Sequence, residues 1–239
     1  MEPWSYKPAA DQGLAERERL RSLQRESGLA AYLAQGAWRA AVRGYLRLYH
    51  RLEIVGTEHL PAQPPFVLVG NHSSHLDALT LAAGLPWRLR QSVFPIAAGD
   101  VFFETPAAAF FAAMMLNALP MWRRRCGSHA LHELRERLIG EPAIYLLFPE
   151  GTRSRDGRMG PFKPGIGMIV AGTDVPVVPC HLAGAHRALP AGQRWPRPTR
   201  LHLRYGAPLV FGAVTDNRDG WKEIATRLEG AVRSLGAAD

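Results

Sequence analysis

Short apolar stretches of strand length alternate with helix-like stretches over most of this chain, and that alternation limits the folds it can adopt. Strand-like stretches lie at residues 52–55, 66–69, 93–97, 143–148, 175–180 and 201–205. Helical periodicity is found at 76–83, 106–116, 129–139 and 221–235, and a Pro/Gly/Arg-rich loop is expected at 189–199. Because strands separated by helices pair mostly in parallel, the sequence predicts an α/β fold with a mixed, largely parallel central sheet flanked by helices.

Residues 29–52 predict an amphipathic helix ahead of that sheet. Its apolar residues fall within about 40° of one direction at helical periodicity, and they are Trp38, Val42, Tyr45, Tyr49 and Leu52. Arginines recur every four residues on the opposite side, at Arg39, Arg43, Arg47 and Arg51. Such a helix either lies in a membrane interface or packs on its own domain with the arginines in water, and Trp and Tyr favour the membrane. We expect residues 1–52 to form a helical membrane-interface segment and residues 53–239 to form the α/β domain.

The charge and cysteine content narrow the partners and the compartment. A net charge of +8 and a pI near 10.1 point to an anionic partner, which is a phosphorylated metabolite, an anionic lipid surface or a nucleic acid. Cys126 and Cys180 are the only cysteines, and the N-terminus lacks a basic region followed by an apolar run, so we expect the reducing cytosol. The apolar stretch 106–116 is shorter than the roughly 18 to 20 residues of a spanning helix, so no transmembrane helix is predicted.

Ionisable side chains cluster where the strand at 66–69 ends. Asn71 to Asp77 places two histidines and a carboxylate there, and unpartnered polar groups are costly to bury. Open α/β sheets bind ligands at such strand ends. His72 and Asp77 are about 140° apart on an ideal helix, so they can meet only if the chain between them turns irregularly. Ser73 and Ser74 suit a turn of that kind.

Three further stretches lie at or near predicted strand ends. Arg123, followed by two more arginines, offers guanidinium groups that match phosphate oxygens. The run Phe148 to Ser154 directly follows an apolar strand, and its Gly151 lets the backbone approach a ligand closely. The run Val175 to Pro179 is an apolar strand in which we expect the prolines to fix the start and the exit, as a wall of the site.

From about Val55 to Val210 the chain resembles the glycerolipid acyltransferase family typified by 1-acylglycerol-3-phosphate acyltransferases. The His-x4-Asp motif of that family matches at His72 and Asp77, and its Phe-Pro-Glu-Gly-Thr-Arg-Ser motif matches at every position of 148–154. The fourth motif matches at 175–179. The family's second motif corresponds to residues 117–123 and departs from the family pattern, because Asn117 replaces the usual Gly. Either Arg123 or Arg124 would reach the acceptor phosphate.

The resemblance implies acyl transfer from acyl-CoA or acyl-carrier protein to the hydroxyl of a lyso-glycerophospholipid, with 1-acylglycerol-3-phosphate giving phosphatidic acid. His72 would act as general base and Asp77 would orient it, without an acyl-enzyme. The family's acceptor-binding residues fall on Arg123, Glu150, Gly151, Thr152 and Arg153. His75 is expected to be a structural or solvent-facing histidine and not a catalytic one. No cofactor, no metal and no nucleic acid is expected, and the protein would sit peripherally on the inner face of the cell membrane.

Other functions remain open at this point. The acceptor could be another lyso-lipid, and Ser73 or Ser74 could carry the acyl group covalently. His72, His75 and Asp77 have a spacing that could bind a metal, which is typical of a metal-dependent hydrolase. A non-enzymatic module that binds a membrane or a nucleic acid through its positive charge would leave the 150–153 loop unexplained.

Overall fold

The computed structural model describes residues 29–98, 118–121 and 128–237, together with Gly13 and Glu18. Its α-helices are α1 (Leu29–Tyr49), α2 (Asp77–Gly84), α3 (Ser128–Gly140), α4 (Gly165–Val170), α5 (Ala185–Ala188) and α6 (Arg218–Gly236). Short 3-10 helices lie at Thr57–His59 and Trp87–Ser92. The strands are β1 (Glu53–Val55), β2 (Phe66–Gly70), β3 (Val93–Ala98), β4 (Leu119–Met121), β5 (Ile144–Leu147), β6 (Val177–Ala183) and β7 (His202–Tyr205).

The described strands form one sheet of seven in the order β1-β7-β6-β2-β5-β3-β4. From β6 to β4 every neighbouring pair is parallel, with Val67 opposite Tyr145 in the central β2–β5 pair. β7 pairs with β6 antiparallel and with β1 parallel, which makes the sheet mixed. The predicted fold class is therefore confirmed.

Alternate residues of the central strands feed two cores on opposite faces of the sheet. Phe66 and Leu68 point into a core shared with α1 and α2, and Val67 and Val69 point into one shared with α3, α4 and α6. All five residues of β2 are buried, because a central parallel strand is covered on both faces. This burial explains why β2 reads as a continuous apolar run in the sequence.

Helix α1 packs on the domain with a face that lies between its aromatic and arginine stripes. Val42 and Leu46 are buried in the first core, and Trp38 packs against it, whereas Leu48 is exposed. Arg43 is partly buried and donates to the carbonyl of Ala83 at the end of α2. A helix packed on its own domain was expected to keep all of its arginines in water. Arg43 departs from that expectation.

Several elements differ from the sequence-based prediction. The helices α4 and α5 and the strand β4 were not expected, and the predicted helix at 106–116 lies outside the described residues. The prediction of a strand at 175–180 that exits at Pro179 is wrong at both ends. Strand β6 begins at Val177 and continues through Pro179 to Ala183, because antiparallel pairing with β7 holds residues 180–183. Helix α6 begins three residues earlier than predicted, since the side chain of Asn217 accepts hydrogen bonds from the amides of its first turn.

None of the helices in the described part of the chain is both long enough and apolar enough to cross a membrane.

Candidate active site at the ends of β2 and β5

Two loops meet where the neighbouring parallel strands β2 and β5 end. The first loop, 71–77, leaves β2 and leads into α2, and the second, 148–154, leaves β5. Because parallel strands place their carboxyl ends at the same edge of a sheet, both loops lie at that edge. The sequence motifs 71–77 and 148–154 are thus adjacent in space although about 78 residues separate them.

His72 and Asp77 form the predicted pair. His72 Nδ1 lies 2.8 Å from Asp77 Oδ2, and the side chain of Asp77 is fully buried while that of His72 is 23% exposed. The same Oδ2 accepts hydrogen bonds from the amides of Ser73 at 2.6 Å and Ser74 at 2.8 Å. These bonds define the irregular turn that brings the pair together. The contact with Asp77 uses Nδ1, so Nε2 is the imidazole nitrogen that can exchange a proton with a bound molecule.

The loop after β5 holds His72 on three sides. The ring of Phe148 stacks on the imidazole with centroids 4.2 Å apart. Glu150 Oε1 accepts from the amide of His72 at 2.6 Å, and the amide of Ser154 donates to the carbonyl of His72 at 2.8 Å. Both backbone polar groups and the ring face of His72 are therefore fixed by one neighbouring loop.

Glu150 is buried, and its second oxygen also accepts from a main-chain amide. Oε2 lies 2.8 Å from the nitrogen of Gly160. Burial raises the pKa of Glu150, while the hydrogen bonds from Gly160 and His72 act in the opposite direction. Because each carboxylate oxygen already has an amide donor, this geometry favours a role in holding His72, and contact with an acceptor stays a prediction.

Gly151, Thr152 and Arg153 form the outer part of this loop. Gly151 has φ 74°, in the left-handed region that favours glycine, and Thr152 is exposed. The guanidinium of Arg153 contacts Nε2 of His75. Burial, together with the charge of Arg153, lowers the pKa of His75. His75 is therefore a direct neighbour of the predicted phosphate-binding arginine.

The side chains of Asn71 and Ser74 anchor the turn 71–77 to distant parts of the chain. The side-chain amide of Asn71 donates to the carbonyl of Leu182 at 3.1 Å and accepts from its amide at 2.8 Å. The buried hydroxyl of Ser74 donates to the carbonyl of Leu189 at 2.7 Å and accepts from the amide of Leu76. A short amide or hydroxyl side chain after a strand is the only sequence signal for such anchors.

Lys163 is another residue that the sequence analysis missed. Its ammonium would lie 2.7 Å from a Cβ placed on Gly151, so a second cation stands beside the 150–153 loop. The predicted acceptor-binding residue Arg123 and its neighbour Arg124 lie outside the described residues, as does Cys126. Within the described ranges, no three His, Cys, Asp or Glu side chains gather to hold a metal ion.

Comparison with known proteins gives one family and a consistent set of relatives. The family model described as Acyltransferase matches residues 51–183. A chloroplastic 1-acyl-sn-glycerol-3-phosphate acyltransferase of Brassica napus is 39% identical over 147 residues, which is 60% of this chain and 40% of the relative. The alpha form of that enzyme from Homo sapiens is 33% identical over 131 residues, or 54% of this chain and 44% of the relative. The chain thus spans less than half the length of these two curated relatives.

A solved structure is similar over most of the chain. The crystal structure of the 1-acyl-sn-glycerophosphate acyltransferase PlsC from Thermotoga maritima superposes with a TM-score of 0.65 at 23% sequence identity. The match covers 87% of this chain and 79% of that one. At this identity the likeness concerns the fold.

Proposed function

The chain belongs to the Acyltransferase family, and we propose that it is an O-acyltransferase that acylates the free hydroxyl of a lyso-glycerophospholipid. The preferred acceptor is 1-acylglycerol-3-phosphate, which gives phosphatidic acid, and the donor is acyl-CoA or acyl-carrier protein. The observation that carries this proposal is the hydrogen-bonded His72–Asp77 pair beside the Arg153 loop. A general base next to a cation suits an acceptor that has both a hydroxyl and a phosphate.

His72 is the proposed general base. Its Nε2 removes the proton of the acceptor hydroxyl as that oxygen attacks the thioester carbonyl carbon. The tetrahedral intermediate collapses with cleavage of the C–S bond, and the imidazolium returns the proton to the departing thiolate. Asp77 accepts the hydrogen bond from Nδ1–H and stabilises the positive charge that the imidazole acquires.

The acyl group is proposed to pass directly to the acceptor. The alternative is an acyl-enzyme on Ser73 or Ser74. Both serines are buried. The hydroxyl of Ser74 already donates to the carbonyl of Leu189 and accepts from the amide of Leu76. These bonds support the direct route, and recovery of a covalent acyl-serine from the enzyme with labelled donor would contradict it.

The acceptor phosphate is proposed to bind at the outer part of the 150–153 loop. Arg153 supplies a guanidinium, Thr152 supplies an exposed hydroxyl, and Gly151 lets the main chain approach. Arg123 is proposed to complete this site on the basis of the family motif alone. Glu150 contributes by holding His72 and the loop together.

We also propose that the protein works on the surface of a membrane as a peripheral protein at the inner face of the cell membrane. On α1, Leu48 is 85% exposed, and Tyr45 and Tyr49 are exposed beside it. Trp195 is 82% exposed in the loop before β7, and the hydroxyl of Tyr49 donates to the carbonyl of Pro196 at 3.1 Å. Exposed aromatic and aliphatic side chains with a net charge of +8 suit an anionic lipid interface.

The test is an acceptor panel with a matched pair of histidine variants. Purified protein is incubated with lysophosphatidate or other lyso-lipids and with palmitoyl or oleoyl donors, and the products are identified by mass spectrometry. His72→Ala should reduce turnover at least about a hundredfold, whereas His132→Ala, an exposed histidine on α3, should leave it unchanged. Full turnover by His72→Ala, or no product with any acceptor, would refute the proposal.

A further inference from the structure

Four arginines gather where α1 crosses the carboxyl end of α2. Arg39, Arg43 and Arg47 lie at every fourth position of α1, and Arg90 lies in the 3-10 helix that follows α2. Arg90 is only 6% exposed. Burial and the charges of Arg43, Arg47 and Arg39 lower the pKa of Arg90 to about 10, so it is still cationic at neutral pH.

The protein supplies these cations with carbonyl groups but with no carboxylate. Arg43 donates to the carbonyl of Ala83, and Arg90 Nε donates to the carbonyl of Leu85 at 2.7 Å. In the part of the chain that is described, no Asp or Glu lies within ion-pair distance of any of the four. A guanidinium has five N–H donors, so two carbonyls satisfy only a small share of this cluster.

A cavity opens directly beside the cluster. It has a volume of about 300 Å³, and its walls include Arg43, Arg47, Thr57 and Gly84. Gly84 ends α2, whereas Asp77 begins it, so about 10 Å of helix separates the cavity from the His72–Asp77 pair. The cavity is therefore distinct from the candidate active site.

We propose that this cavity is a second anion site, which binds a phosphate group through the guanidinium groups of Arg43 and Arg47. Paired guanidinium forks match phosphate oxygens, and a bound anion offsets the repulsion among four neighbouring cations. Two sources can provide such a phosphate: the headgroup of an anionic phospholipid in a membrane that α1 contacts, or a soluble phosphate ester. The site does not depend on the proposed acyl transfer, because binding is measured without an acyl donor.

The site is tested by isothermal titration calorimetry at low salt, which measures the affinity of the full chain for inorganic pyrophosphate. Arg43→Gln and Arg47→Gln should each weaken binding about tenfold, and Arg51→Gln, the next arginine of the stripe, should not. The titrations are repeated in an Arg153→Ala background, which removes one cation of the candidate active site and should leave this binding in place. Thermal unfolding checks that each variant is folded.

Equal affinity in Arg47→Gln, Arg51→Gln and the unsubstituted chain would overturn the proposal. So would loss of all pyrophosphate binding in Arg153→Ala, because the active-site loop would then account for the anion. Arg47→Gln is the decisive variant, since the side chain of Arg47 is exposed, whereas Arg43 is partly buried and donates to the carbonyl of Ala83 in α2.

The source of the phosphate is identified with vesicles. Binding to phosphatidylcholine vesicles with and without phosphatidylglycerol is measured by co-sedimentation for Arg47→Gln and Arg51→Gln, which each remove one charge. A larger loss in Arg47→Gln on the anionic vesicles supports the site and assigns a lipid headgroup. Equal losses on vesicles, with pyrophosphate binding lost only in Arg47→Gln, support the site and assign a soluble phosphate ester.

Discussion

Replacing Glu150 by Gln separates the positioning of His72 from the binding of an acceptor. In the structure Glu150 accepts from the amides of His72 at 2.6 Å and Gly160 at 2.8 Å, one on each oxygen. A glutamine keeps one acceptor oxygen and turns an NH2 group toward the other amide. One of the two partly buried amides therefore loses its partner, and the remaining bond loses its charge assistance.

The expected magnitude follows from these two bonds. A hydrogen bond to a charged group contributes about 1.5–3 kcal/mol, so Glu150→Gln should lower the free energy of unfolding by about 2 kcal/mol. If the same loss loosens His72 in the transition state, kcat should fall between about tenfold and a hundredfold, since 1.36 kcal/mol corresponds to a factor of ten. The KM for the acceptor should stay unchanged if Glu150 acts only by positioning His72, because its carboxylate is buried and each oxygen accepts from a main-chain amide.

Steady-state kinetics with a thiol-reactive dye and urea unfolding measure both quantities. Glu229→Gln is the matched control, because Glu229 accepts from the amide of Phe162 at 2.9 Å and has no contact with His72. The control should lose stability and keep its kcat. A raised acceptor KM with unchanged kcat in Glu150→Gln would show that this carboxylate binds the acceptor and would refute the positioning role.

Asp77→Asn should lower kcat by about three to four orders of magnitude in a chain that stays folded by circular dichroism, and a loss below tenfold would contradict its role. Arg153→Ala should raise the KM for a phosphate-bearing acceptor at least about tenfold, measured at saturating donor. Burial and the charge of Arg153 lower the pKa of His75 below its usual 6.5 in the folded chain. As the pH falls, His75 is therefore protonated in the unfolded chain before it is protonated in the folded chain. Stability should therefore decrease on acidification through pH 6.5, and His75→Gln should flatten that decrease in urea unfolding. Ser74→Ala should lower the free energy of unfolding by about 1–3 kcal/mol, because the carbonyl of Leu189 loses a buried donor.

The parts of the fold that could be predicted are those with a strong local pattern. β2 and β5 are apolar at every position because both faces are buried, and the His72–Asp77 pair follows from a turn that two serines favour. The short helix α4 has six residues, fewer than two full turns, and carries too little periodicity to detect.

The parts that could not be predicted depend on contacts between distant residues. The periodicity of α1 shows which residues share a face, but only the position of α2 determines that Arg43 is partly buried against Ala83. Glu150 reads as a ligand-binding residue in the sequence, since nothing local indicates that the amide of a residue 78 positions away will donate to it. A hydrogen bond from a distant main-chain amide to a carboxylate produces no motif or periodicity in the sequence, so it cannot be predicted from the sequence.

The clamp on His72 also has a consequence for how activity is gained during folding. Glu150 and Ser154 hold the backbone of His72 across about 80 positions, and Leu182 holds Asn71 across 111. No fragment that contains only the first half of the chain includes these partners, and closing such long loops is a slow, entropically costly step. We therefore expect the His72–Asp77 site to form late in folding, and recovery of the proposed acyl transfer should lag behind recovery of secondary structure during refolding.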